Sequence, residues 1–151
     1  MKIIAFQITG AKDIPFQTQA STLDEMTREL PQGFYTTFST LSNGTRVLGL
    51  HAHLQRLYAP AIEHEVVPSA DELELRFSIA ALVKMNLPKE SRIRLIMAKT
   101  NGMIYLGIQP FEPLSKSIYE DGVKVITADS VRQAPQLRGA KEYVKRKLSS
   151  Y

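Results

Sequence analysis

"GFYTTFSTLSNGTRVLGLHAHLQRLYAPA", residues 33–61, is the stretch that decides the fold. Its opening, "FYTTFSTLS", is β-branched and aromatic, a composition that suits a pleated, partly buried surface and predicts a strand. Asn43 and Gly44 then form the Asn-Gly signal of a type I′ hairpin turn, in which both central residues need positive φ. "TRVLGL" predicts the returning arm, so residues 34–50 read as strand, turn, strand. In "HLQRLYAPAI" the period changes from two to 3.6, with Leu54, Leu57, Tyr58 and Ala61 on one helical face. Pro60 lacks the amide a helix interior requires, which limits this helix to little more than two turns unless it kinks.

On the N-terminal side, Lys2 to Thr9 reads as a strand. "STLDEMTREL" predicts a helix in which Thr22 caps and Glu25 follows three residues later, with Pro31 and Gly33 as its stop. On the C-terminal side, "PSADELELRFSIAALVKMNLP" predicts a long amphipathic helix. It has a capping box at Ser69 and Glu72, an apolar stripe through Leu75, Ile79, Leu82 and Val83, and Pro88 just beyond. "RIRLIMAKTNGMIYLGIQP" repeats the hairpin pattern, with Asn101 and Gly102 at the turn. Pro110 and Pro113 end it, and "DGVKVITADS" predicts one more strand after Gly122. The strands are joined by hairpins rather than helical crossovers. The expected class is therefore α+β, with a mainly antiparallel sheet and packed helices.

Composition agrees with a folded chain. At 151 residues there is room for one ordinary domain, and 44% apolar residues are enough to fill a core. The absence of cysteine excludes disulfides, thiolate metal sites and cysteine nucleophiles, and fits a cytoplasmic protein. No apolar run approaches the roughly 20 residues that span a bilayer, and "MKIIAFQITG" is too short for a signal segment. No membrane association is expected. The periodic pattern weakens after Asp129, which divides the chain into an α+β domain over residues 1–129 and a linker over 130–151.

Few constellations suggest chemistry. The histidines are His51, His53 and His64; in the expected helix the two imidazoles of "HAH" point in different directions, so no metal site is expected. Carboxylates cluster as "DE" and "ELE" on helix faces, where solvation explains them, and no Gly-rich phosphate loop is present. Arg56 falls on the polar face of its helix; its pattern is that of a solvated arginine, yet a permanently charged, bidentate group near a helix start is well suited to a phosphate. "VRQAPQLRGAKEYVKRK", residues 131–147, carries six basic residues within a net charge of +4. A nucleic-acid site would want interleaved aromatics for stacking, and only Tyr143 is available, so a solvated face is the ordinary reading.

Residues 30–61 closely resemble the opening of the fold-type IV, or class IV, pyridoxal-phosphate aminotransferases, which include branched-chain aminotransferases, D-amino-acid aminotransferases and aminodeoxychorismate lyases. The shared features are Gly33, Phe34 and Tyr35 on a strand leading into a hairpin, then "H-x-x-R-L" as His53, Arg56 and Leu57. Downstream, "IYEDGVKVITADSVRQAP" resembles the family's strand into the interdomain linker, with Arg132 and Pro135 at family positions. The resemblance implies that Arg56 holds the phosphate of pyridoxal 5'-phosphate and that Tyr35 faces the substrate side. It implies an amino acid or small amino compound as substrate, and a homodimer.

Two departures accompany it. The position of the Schiff-base lysine is occupied by Arg138, whose guanidinium stays protonated and cannot supply a free amine; Lys141, three residues on, serves only if the linker shifts. The family's large domain has no counterpart before Tyr151, so the chain resembles the small N-terminal domain plus the linker that begins the large one, and alone is expected to be inactive. The leading expectation is thus an aminotransferase-like or lyase-like protein, present here as a fragment or a short relative. The competing ones are a non-catalytic binding or assembly module and, resting on the tail alone, a basic nucleic-acid-binding domain.

Overall fold

The structure, a computed structural model, describes residues 2–111 and 114–127. In chain order the strands are β1 (Ile4–Ile8), β2 (Asp13–Pro15), β3 (Gly33–Leu41), β4 (Arg46–Val47), β5 (Ser91–Ala98) and β6 (Ile104–Pro110). The helices are α1 (Leu23–Glu29), α2 (Leu50–Glu63), α3 (Glu72–Val83) and α4 (Lys116–Asp121). The strands form one sheet in the order β2-β1-β6-β5-β3-β4, with every neighbouring pair antiparallel. This is the α+β, antiparallel architecture the hairpin pattern predicts.

Side chains alternate across a strand, so β3 sends Phe34 and Phe38 to one face and Tyr35 to the other. On the first face they meet Leu54, Leu57 and Ala61 of α2 and Leu75, Ile79, Leu82 and Val83 of α3. On the second, Tyr35, Ile96 and Tyr105 lie with Leu23 and Met26 of α1 and with Leu30. Covering both faces makes β5 buried at seven of its eight positions, Arg92 being the exposed one. Each fully buried aliphatic side chain contributes about 1.5–3 kcal/mol relative to exposure, which makes this double layer the main source of stability.

Several local expectations need correction. α2 extends over 14 residues, well past the two turns allowed for it, with Pro60 inside. Leu57 and Ala61 on either side of Pro60 are sealed into the core, and that packing outweighs one missing amide bond. The cap of α3 is Asp71, not Ser69: its carboxylate accepts the Glu74 amide at 2.8 Å, and the Glu74 carboxylate accepts the Asp71 amide at 2.8 Å. Ser69 instead donates to the Ile8 carbonyl at 2.6 Å and accepts from the Ile104 amide at 3.0 Å, closing the end of the β1–β6 ladder.

The first hairpin is present, but its return arm is only Arg46–Val47, and Asn43 and Gly44 sit within a longer loop over residues 42–45. Ser42, Asn43 and Gly44 all have positive φ. The Glu90 carboxylate accepts the Asn43 and Gly44 amides and the Thr40 hydroxyl, so a group distant in sequence holds the loop, while Asn43 and Gly44 carry the positive φ that the Asn-Gly signal requires. The strand expected after Gly122 is not found at residues 123–127. A short helix, α4, precedes that glycine, and Val125 and Ile126 are exposed, with no partner strand among the described residues. The remainder of that expected strand, and the domain boundary at 129, lie outside the described residues.

Two glycines with left-handed backbone differ in their surroundings. Gly102 (φ +70) closes the β5–β6 turn, and a Cβ there would meet the Val67 carbonyl oxygen at 1.8 Å; a Cβ on Gly49 (φ +63) would meet nothing within 4 Å. Gly49→Ala therefore carries only the left-handed penalty, about 1–2 kcal/mol. Gly102→Ala adds a backbone collision and is expected to lower the denaturation midpoint distinctly more, whereas equal losses in urea titration would contradict this packing.

Candidate functional site

Arg56 lies in the second turn of α2 and is half-buried, so its face is not simply solvated. Its Nη1 donates to Nδ1 of His53, three residues earlier on the same helix, at 3.2 Å. The Thr36 hydroxyl of β3 lies 3.0 Å from the same nitrogen. A guanidinium can only donate, so Nδ1 is an acceptor and the imidazole is neutral, with its proton on Nε2. The His53 ring packs against Phe38, with centroids 5.0 Å apart. An arginine in the "H-x-x-R" spacing is thus oriented by a histidine that is itself held by the sheet. Such an arrangement presents a planar, permanent cation to a phosphate or carboxylate.

The other histidine of "HAH" points elsewhere. His51 Nδ1 is 3.1 Å from Glu72 Oε1 on α3, and Gln55 donates to Glu72 Oε2 at 3.0 Å. Arg76 donates to Glu72 Oε1 through Nε and Nη2, at 3.2 and 2.8 Å. These bonds, first from Arg76 and then from His51, hold the Glu72 carboxyl below the usual carboxylate range and tie α2 to α3. Tyr58 of α2 donates to the Ala70 carbonyl at 2.9 Å; burial, aided by Asp71 and then Glu72, pushes its hydroxyl well above the ordinary tyrosine value. Among the described residues no group of three or more His, Asp or Glu could hold a metal ion.

Tyr35 occupies the opposite face of β3 from Thr36 and is 4% exposed beneath α1. The Arg94 guanidinium stands 5.7 Å from its ring centroid. Arg94 donates to Asp24 at 2.7 Å and Thr27 at 2.9 Å on α1, and to Thr37 at 2.9 Å on β3. The structure therefore does not bring Tyr35 and Arg56 onto one face. Sequence reading missed Arg94, because alternation with Ile93 and Leu95 makes it look like an outward strand residue. Its partners on α1 are about seventy positions away and no local pattern announces them. Arg132, Pro135, Arg138 and Lys141 lie outside the described residues.

Removing one partner of a buried ion pair strands the other, so Arg94→Ala is expected to cost about 3–5 kcal/mol in chemical denaturation. Replacing Arg94 and Asp24 together by methionine and leucine should lose less than the single change, and a larger loss would refute the pairing. Glu72 is depressed in the folded state, so its stabilisation is present above the ordinary value of 4.5 and fades as pH falls through the lowered one. The melting-temperature gap between the wild type and Glu72→Gln should accordingly be wider at about pH 7 than at about pH 3; a pH-independent gap would argue against it.

No family model matches the chain, and no curated protein matches it. Among solved structures, a "putative branched-chain amino acid aminotransferase" from Thermotoga maritima superposes with a TM-score of 0.57 at 17% identity, over 75% of this chain and 39% of that one. A "hypothetical aminotransferase" from Mycobacterium tuberculosis, in its apo form, gives 0.50 at 19% identity, over 71% and 39%. A hypothetical aminotransferase of the same organism in a PLP-bound form gives 0.48 at 19% identity, over 70% and 40%. The chain spans about two fifths of the length of these structures. It has the fold of an aminotransferase-like small domain.

Proposed function

We propose that this chain is the small domain of a class IV, pyridoxal-phosphate-dependent aminotransferase-like protein, with Arg56 as the ligand of the cofactor phosphate. The observation that carries the reading is the Thr36–His53–Arg56 arrangement: the arginine of the "H-x-x-R-L" motif is oriented by its own helix and by the strand beneath it. That donor set fits a phosphate, since a guanidinium offers a planar fork of N–H groups that stays charged at every working pH. When bound, pyridoxal phosphate supplies an electrophilic carbonyl and a ring that accepts electrons from the substrate. His53 would hold the guanidinium in place as a neutral acceptor, whereas Tyr35, buried beneath α1 on the other face of β3, takes no part in this arrangement. The substrate would be an amino acid or small amino compound, and the protein a cytoplasmic homodimer.

Arg138 at the expected lysine position favours a second reading, a relative that binds but does not catalyse. A guanidinium cannot act as the amine nucleophile or move a proton at neutral pH. One experiment tests both readings: addition of pyridoxal phosphate, borohydride reduction and peptide mass spectrometry. Reductive labelling of Lys141 supports the enzyme reading with a shifted linker. Binding without any adduct supports the non-catalytic one. Arg56→Gln should weaken cofactor binding by about ten- to hundredfold, the equivalent of about 1.5–3 kcal/mol for charge-assisted hydrogen bonds. Cofactor binding that is unchanged in Arg56→Gln overturns both.

A further inference from the structure

A cleft of about 340 Å3 opens between the β3–β4 hairpin and α3, and none of Thr36, His53 and Arg56 lines it. Its walls are apolar: Val47 and Leu50 on one side, Ile79, Val83 and Leu87 on the other. The polar groups on those walls are already engaged within the fold. The Thr40 hydroxyl donates to Glu90 and accepts from the Ser91 amide, and the Gly44 amide donates to Glu90. The interior therefore offers no hydrogen bond to a polar guest and suits an apolar one.

The rim has the opposite character, because Arg46, Arg76 and Lys84 all border the cleft. Arg76 is matched by Glu72 at 2.8 Å, whereas Arg46 and Lys84 have no carboxylate partner among the described residues. Arg76 and Ala80 lie four residues apart on α3, and Lys84 follows Val83 as the cap of its C-terminal end, so a small side chain separates the two cations along this edge of the cleft. Ligand sites are typically concave, mostly apolar clefts of about 300–1,000 Å3 with a few placed polar groups. We infer that this cleft binds a small amphipathic carboxylate, its aliphatic or aromatic tail against Ile79, Ala80 and Val83 and its carboxylate at Arg46 and Lys84.

Octanoate, octan-1-ol and octylamine are the probes, titrated into the 151-residue chain and followed through its amide NMR shifts. Octanoate is expected to shift Val47, Ile79 and Val83 and to bind more tightly than the alcohol, with the amine weakest. Arg46→Gln combined with Lys84→Gln should remove the preference for octanoate over octanol while leaving octanol binding intact. Ala80→Phe should block all three probes. The inference is overturned if octanol and octanoate bind alike in the wild type, if the double variant keeps the preference, or if no shift appears at these residues by about 10 mM probe. It is also overturned if sedimentation shows a dimer that Ala80→Phe dissociates, since the cleft would then be a contact between two copies.

Discussion

The pairing of β3 with β5 runs over seven residue pairs, from Gly33↔Ala98 to Ser39↔Arg92, and both faces of that ladder are covered. The rest of the molecule depends on this constraint. Because side chains alternate along a strand, a single register sends Phe34, Thr36 and Phe38 toward α2 and Tyr35 and Thr37 toward α1. A slip of one residue would exchange the two sets and place Thr36 under α1, away from His53. The position of the candidate phosphate ligand is therefore a consequence of strand register as much as of the helix that carries it.

Polar groups inside this double layer are joined across elements that are distant in sequence. Thr36 reaches α2 through His53, Arg94 joins β5 to α1, Ser69 closes the β1–β6 ladder, and Glu90 gathers the first hairpin loop. No buried side-chain nitrogen or oxygen among the described residues lacks a hydrogen-bond partner. A buried polar group left unpaired costs more than a satisfied one contributes, so each of these residues favours one arrangement over its competitors. The domain is pinned by a few such ties laid over a largely non-specific apolar core.

The elements that sequence reading located well are those whose signals are local. The Thr22 cap of α1 is observed, its side chain accepting the Glu25 amide at 3.2 Å, and the α3 stripe of Leu75, Ile79, Leu82 and Val83 is buried as its spacing requires. The errors arose where a distant group competed with a local rule. Ser69 has the chemistry of a cap but was drawn to the sheet, so Asp71 took that role. Asn43 and Gly44 keep the positive φ of their turn signal, but the loop around them runs over residues 42–45 and is held by the Glu90 carboxylate. Pro60 signals a helix end, yet the core packing of Leu57 and Ala61 carries α2 through it. The apolar pattern after Gly122 resembles a strand, but a strand exists only where another offers it hydrogen bonds.

The candidate site divides along the same line. Sequence alone determined the fold class, because hydrophobic period and turn residues act over a few positions. It also joined His53 and Arg56 in one "H-x-x-R-L" motif, and the structure shows them as neighbours because residues three apart on an α-helix share a face. Only the tertiary structure decided that Thr36 completes their arrangement, that Tyr35 faces the other way beneath α1, and that Arg94 is buried there. Those outcomes depend on which strands pair, in what register, and which helix covers which face. Such contacts join residues tens of positions apart and leave no periodic trace along the chain.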